Sequence, residues 1–184
     1  MQPTKEGKIS VSVMCSDLMN LERDIKQLER NGVDYLHVDV MDAHFVPNLT
    51  FGVDFIAAMH RVTKLPLDIH LMVEHPLPIM EAMDIRPGDR ISLHVELGEQ
   101  LHELAKAVRA RGAQFGLVVN PSTPVEALTP YLDEIEWVIL MLVQPGFAGA
   151  KLIDGILDKV AAARRFLDEH GHPETEISVD GSVS

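Results

Sequence analysis

The sequence predicts an α/β protein of the (β/α)8 TIM-barrel class, and three observations carry that expectation. Short apolar runs alternate with amphipathic stretches along the whole chain, the pattern of a parallel sheet covered by helices. The runs are near-continuously apolar, as strands buried on both faces must be. No Gly-x-Gly-x-x-Gly follows the first run, which removes the main support for an open nucleotide-binding sheet. A length of 184 residues without linker, repeat or low-complexity segment predicts one domain over 1–184.

Run length, β-branched content and Gly/Pro punctuation set the elements. Ile9–Met14 reads as the first strand. Asp17 then caps a helix that ends at Asn31-Gly32. Tyr35–Val40 is the second strand, and a loop with Pro47 leads to a helix near Phe51–Arg61. Leu67–Val73 is the third strand, and Pro76 opens a short helix. Arg90–His94 is the fourth, followed by a helix over Leu97–Arg111 that Gly112 ends. Phe115–Val119 is the fifth. The loop Asn120-Pro121-Ser122-Thr123-Pro124 enters a brief helix at Val125–Leu128. Trp137–Leu142 is the sixth strand. A Pro145-Gly146 turn leads to a long helix over Lys151–His170, and Glu176–Val179 is the seventh strand. A complete barrel has an eighth βα unit, so the expectation for this chain is a barrel lacking that unit, incomplete at its C-terminal side.

Bulk composition narrows the function. Hydrophobic residues make up 46%, enough for a full core. No apolar run approaches the roughly 20 residues of a membrane span. Residues 1–8 are polar and lack the apolar stretch of a secretory signal. Cys15, the one cysteine, has no internal partner, so a reducing cytoplasm is the expected setting. A net charge of −12 argues against nucleic acid and anionic membranes as partners. A small anion remains possible, because backbone N–H groups or a metal can hold a phosphate.

The informative residues are polar ones within strands. His37-Val38-Asp39 places two polar side chains on one strand face. His70 and Asp180 end two other apolar runs; His94 and Asn120 stand at the carboxyl ends of the fourth and fifth strands. The carboxyl ends of barrel strands form the active-site face. Two imidazoles and two carboxylates there suit a divalent ion such as Zn2+, Mn2+ or Fe2+. A lone His-x-Asp is more commonly a buried hydrogen-bonded pair, but four such residues at three strand ends favour the metal. Met14, Met41, Met72 and Met141 also lie near strand ends, a position that by itself means core filling. His44, His60, His75, His102, His170 and His172 read as surface or loop residues. The acidic residues of Leu97–Arg111 read as a solvated face.

These residues sit in segments that resemble the ribulose-phosphate 3-epimerases. The resemblance runs through Leu36-His37-Val38-Asp39-Val40-Met41-Asp42-Ala43-His44-Phe45-Val46-Pro47-Asn48 and Leu67-Asp68-Ile69-His70-Leu71-Met72-Val73. It continues through Ser12, Leu93-His94-Val95-Glu96, Asn120-Pro121-Ser122-Thr123-Pro124, Val143-Gln144-Pro145-Gly146-Phe147 and Val179-Asp180-Gly181, in order across nearly the whole chain. It implies a metal-dependent isomerase that inverts C3 of a ketose phosphate, converting D-ribulose 5-phosphate to D-xylulose 5-phosphate in the pentose phosphate pathway. One divalent ion, Zn2+, Fe2+, Mn2+ or Co2+, would be held by His37, Asp39, His70 and Asp180. Asp39 and Asp180 would carry the protons. Ser12, Met41, His70, Met72, Met141, Gly146, Phe147, Ala148 and Gly149 would contact the phosphosugar, and the protein would be a dimer or hexamer.

The chain also departs from the family. Ala43 stands at a usual glycine, Ala148-Gly149-Ala150 replaces a Gly-Gly-Gln turn, and Val11 replaces a proline. The family's eighth strand carries a phosphate-gripping turn that this chain does not have. Some departures are similar to the allulose-6-phosphate 3-epimerases, so a hexose phosphate stays open as the substrate. A non-catalytic phosphosugar-binding barrel is the second alternative. Decarboxylase and synthase relatives need Asp-x-Lys-x-x-Asp at the second strand, and this chain has no lysine there. A Schiff-base aldolase needs a strand-end lysine, which neither Lys8 nor Lys64 supplies.

Overall fold

A computed structural model of the chain describes residues 7–183. Seven parallel strands form one sheet in the order β1 to β7, so every strand lies beside its sequence neighbours. They are β1 (Ser10–Ser12), β2 (Tyr35–Met41), β3 (Leu67–Met72), β4 (Arg90–His94), β5 (Gln114–Val119), β6 (Trp137–Met141) and β7 (Glu176–Asp180). The α-helices are α1 (Leu21–Asn31), α2 (Val53–Val62), α3 (Pro76–Ala82), α4 (Leu101–Arg109) and α5 (Leu157–Glu169). The sheet curls as a TIM barrel does, with β1 and β7 as its two edges.

Each strand divides its residues by parity. Leu36, Val38, Ile69, Leu71, Ile91, Leu93, Phe115, Leu117, Val138 and Leu140 join the main core beneath the helices. The alternate residues point inside the curl. There Trp137, Ile139 and Met141 pack with Val118, while Met41 and Met72 pack with Val46 near the mouth. At the opposite end Arg90 lies between the rings of Tyr35 and Trp137, 4.7 and 4.3 Å from their centroids. Gly116 makes room for that Trp137, since a Cβ there would fall 2.3 Å from the indole nitrogen.

Several expected boundaries shift, each for a local reason. β1 stops at Ser12 instead of Met14, because Ser12 caps a 3-10 turn (Val13–Cys15) and its hydroxyl accepts from the Met14 N–H. A 3-10 turn (Leu18–Asn20) likewise precedes α1. The expected helix over Leu97–Arg111 is broken at Gly98, whose φ of 67° and ψ of −146° no helix accommodates; α4 starts only at Leu101. The expected helix over Lys151–His170 begins at Leu157, just after Gly155 at φ 74°. The brief helix expected at Val125–Leu128 is a longer 3-10 segment, Val125–Glu134. His60, expected at the surface, is buried with its Nε2 3.1 Å from Asp89 Oδ2.

Candidate active site

His37 and Asp39 point inward from β2, His70 from β3 and Asp180 from the end of β7. The register sets Asp39 beside His70 and Asp180 beside Met141. One ligand-capable atom from each of the four lies within 4.8 Å of all the others. His37 Nε2 is 3.2 Å from Asp39 Oδ1 and 3.9 Å from Asp180 Oδ2. His70 Nδ1 is 3.3 Å from Asp39 Oδ1 and 3.6 Å from Asp180 Oδ2. A tetrahedral centre with bonds of roughly 2.0–2.2 Å spaces its ligand atoms about 3.3–3.6 Å apart, and separations of 3.2–3.9 Å bracket that range, so the cluster could hold one divalent ion. The chemistry of the donors agrees. His70 Nδ1 is buried and has no hydrogen-bond partner, an expensive state for a polar atom unless a ligand takes its lone pair.

The far sides of both imidazoles are also engaged. His37 Nδ1 meets Asp68 Oδ2 at 3.0 Å, and the same oxygen accepts from the Ser10 hydroxyl at 2.7 Å. His70 Nε2 meets His94 Nε2 at 2.9 Å. Ser12 donates its hydroxyl to Asp39 Oδ2 at 2.9 Å, leaving Oδ1 toward the imidazoles. Sequence reasoning did not assign Asp68, Ser10 or Glu96 to the site. Asp68 carried a readable signal: Asp68-Ile69-His70 is a two-residue pattern like His37-Val38-Asp39, on one strand face.

The electrostatics follow from this crowding. Burial disfavours charge on His37, but Asp39 and Asp68 outweigh it and hold the imidazole well above its usual range. Burial likewise opposes charge on His70, and Asp180 and Asp39 prevail. Burial pushes the Asp39 and Asp180 carboxyls up; the two imidazoles more than offset it and hold both below the usual range. Burial, aided by the neighbouring His70, brings His94 down to about 4. Glu96 falls to about 2, where contacts with His94 and Thr123 overcome its burial.

A cavity of about 790 Å3 runs along the open side of the sheet between β1 and β7, from Lys8 and Glu176 at one end, past the cluster, to the loop after β6 at the other. Ser12, Met14, His37, Asp39, Met41, Met72, Met141 and Asp180 line it, and Gly146, Phe147, Ala148 and Gly149 form part of its rim. His70, expected to touch substrate, is fully buried and does not line this cavity. The loop after β2 is tied to that rim. Asn48 Nδ2 donates to the Gly146 carbonyl at 2.7 Å, and Val46 packs against Gly146, which adopts φ 117°.

The chain matches the model of the ribulose-phosphate 3 epimerase family over residues 8–184. It is 40% identical over 177 residues to the ribulose-phosphate 3-epimerase of Bacillus subtilis, covering 96% of this chain and 82% of that protein. It is 39% identical to the ribulose-phosphate 3-epimerase of Treponema pallidum, covering 95% and 80%. It is 36% identical to the cytoplasmic isoform of the same enzyme from rice, covering 96% and 77%.

Proposed function

The chain belongs to the ribulose-phosphate 3-epimerase family, and from that premise we propose that it inverts C3 of a ketose phosphate, D-ribulose 5-phosphate first among them. The observation that carries this reading is the convergence of Asp39 and Asp180 with two imidazoles, beside a cavity that both carboxylates line. Epimerisation removes a proton from a carbon beside a carbonyl and returns one to the opposite face, which needs two acid/base groups on either side of a planar enediolate. Asp39 and Asp180 come from strands far apart in the sheet order and both line the cavity. As a carboxylate, one takes the C3 proton while the other, as the acid, delivers its own to the far face; their protonation states are then exchanged. In the free site the imidazoles hold both carboxylates ionised. A substrate covering Asp180, whose side chain is 26% exposed, removes its remaining water and favours its acid form.

His37, Asp39, His70 and Asp180 are the residues that would hold a divalent ion, which when bound would stabilise the negative charge developing on the substrate oxygens. Ser12 orients Asp39 through its hydroxyl. Met14, Met41, Met72 and Met141 give an apolar wall over the flat intermediate. The rim at Gly146–Gly149 is the end proposed to receive the phosphate. The same reading makes the protein a cytoplasmic homo-oligomer. Among the described residues, no helix is long and apolar enough to cross a membrane.

Incubation of protein supplied with Zn2+, Mn2+, Fe2+ or Co2+ with ribulose 5-phosphate and with allulose 6-phosphate in D2O tests the proposal. Deuterium is expected at C3 of ribulose 5-phosphate, and exchange only into the hexose would reassign the sugar. No exchange into either overturns the enzyme reading. Asp180→Asn is expected to abolish exchange and to lower bound metal; undiminished metal would remove Asp180 from the ligand set.

A further inference from the structure

The loop between β2 and α2 touches the chain beyond three other strands. One Asp42 oxygen accepts from the Glu74 N–H after β3 at 2.8 Å, and the other accepts from the His44 and Phe45 N–H groups at 2.8 and 2.9 Å. Phe45 packs on His94 at the end of β4, with ring centroids 4.6 Å apart. Half-buried Asn48 reaches the loop after β6: its Nδ2 donates to the Gly146 carbonyl at 2.7 Å, while its Oδ1 accepts from the Leu49 N–H at 2.9 Å. The Asn48 backbone is itself held, its carbonyl accepting from the Ala43 N–H and its N–H donating to the Val46 carbonyl. Gly146 seats tightly against this loop, since a Cβ on it would lie 3.2 Å from Val46 Cβ.

The consequence of the Asn48 bond lies one atom pair further on. A trans peptide is planar, and its C=O and N–H point in opposite directions. The Gly146 carbonyl and the Phe147 N–H belong to one such trans unit. A bond that fixes the carbonyl toward Asn48 therefore fixes the Phe147 N–H away from it. Among the described residues, none of the N–H groups of Phe147, Ala148 and Gly149 donates to a protein acceptor, and all three residues line the cavity. Successive backbone N–H groups in a turn make a cradle for an anion. We propose that Asn48 is a positioning residue, which holds the Gly146–Phe147 peptide so that the Phe147 N–H serves as a donor to the phosphate of the substrate. The proposal rests on the reading of the Gly146–Gly149 rim as the phosphate end; it does not depend on turnover.

Inorganic phosphate is the probe, because it reports on this end of the site without any reaction. In the parent, a phosphate titration followed by 1H–15N NMR should shift the Phe147 N–H and the Asn48 side-chain NH2 with one shared midpoint. Asn48→Ala should weaken phosphate binding and raise KM for ribulose 5-phosphate together, each about 10-fold, while kcat stays within about threefold of the parent. A contact that merely steadies the loop would lower the thermal midpoint and leave phosphate affinity within about threefold of the parent, and that result overturns the proposal. A fall in kcat with KM and phosphate affinity unchanged overturns it as well. If the variant does not fold, the parent titration decides: phosphate that shifts neither group, or shifts Phe147 without the Asn48 NH2, overturns the proposal. A parent in which both groups shift together, yet which exchanges no deuterium into either sugar, keeps the positioning role and loses the epimerase reading.

Discussion

Ala43 occupies the left-handed region at φ 62° inside the loop after β2, where its N–H donates to the Asn48 carbonyl at 2.9 Å. An L side chain pays about 1–2 kcal/mol for that conformation. Glycine would avoid it, at an entropic cost in the unfolded chain of about 0.4–1 kcal/mol. Ala43→Gly is therefore expected to stabilise the protein by about 0.5–1 kcal/mol. Urea unfolding should show a higher midpoint at unchanged slope; a lower midpoint would mean the methyl contributes more than its strain. At this scale the sequence showed which residues are unusual but not their partners. His37, Asp39, His70 and Asp180 stood out because polar groups are rare in apolar strands. His60 misled, because its partner Asp89 is remote in sequence and lies on no shared element.

At the scale of elements, the strands were legible and several helix starts were not. Strand residues announce themselves by continuous apolarity, whereas Gly98 and Gly155 break their helices through a positive φ that composition does not reveal. Gly116 shows the same limit inside a strand. It reads as a weak point of β5, yet its missing side chain is what admits Trp137 from β6. Gly116→Ala is expected to destabilise the protein by about 1–3 kcal/mol, because both the backbone of β5 and the indole sandwiched on Arg90 resist displacement. A thermal melt of the variant checks this; an unchanged transition would show that the indole moves freely.

Across the whole molecule, Glu176 at the start of β7 ties distant strands together below the site. It accepts from Arg90 of β4 at 2.9 Å and pairs with Lys8 just before β1. Burial raises the Glu176 carboxyl, but Arg90 and Lys8 outweigh it and hold it below its ordinary value of 4.5. A carboxyl lowered by folding stabilises the folded state above its unfolded value, and that contribution fades as pH falls through the lowered one. The stability gap between parent and Glu176→Gln should therefore be largest near neutrality and narrow below about pH 4.5. Urea unfolding as a function of pH measures it. A gap independent of pH would show that the ion pairs add nothing to the hydrogen bonds.

The sequence by itself determined the alternation of strands and helices, the burial of the strands on both faces, and the four residues too polar for their surroundings. These are local properties, set by a side-chain period of two and by the cost of burying charge. Only the tertiary structure decided that Asp180 meets His37. Their strands stand five places apart in the sheet order, which in a flat sheet would separate them by roughly 24 Å. In the curled sheet His37 Nε2 and Asp180 Oδ2 are 3.9 Å apart. That closure is the sum of twist and stagger over every strand pair, a quantity no single segment encodes. The same curl sets His94 behind His70 and turns a row of strand-end residues into one site.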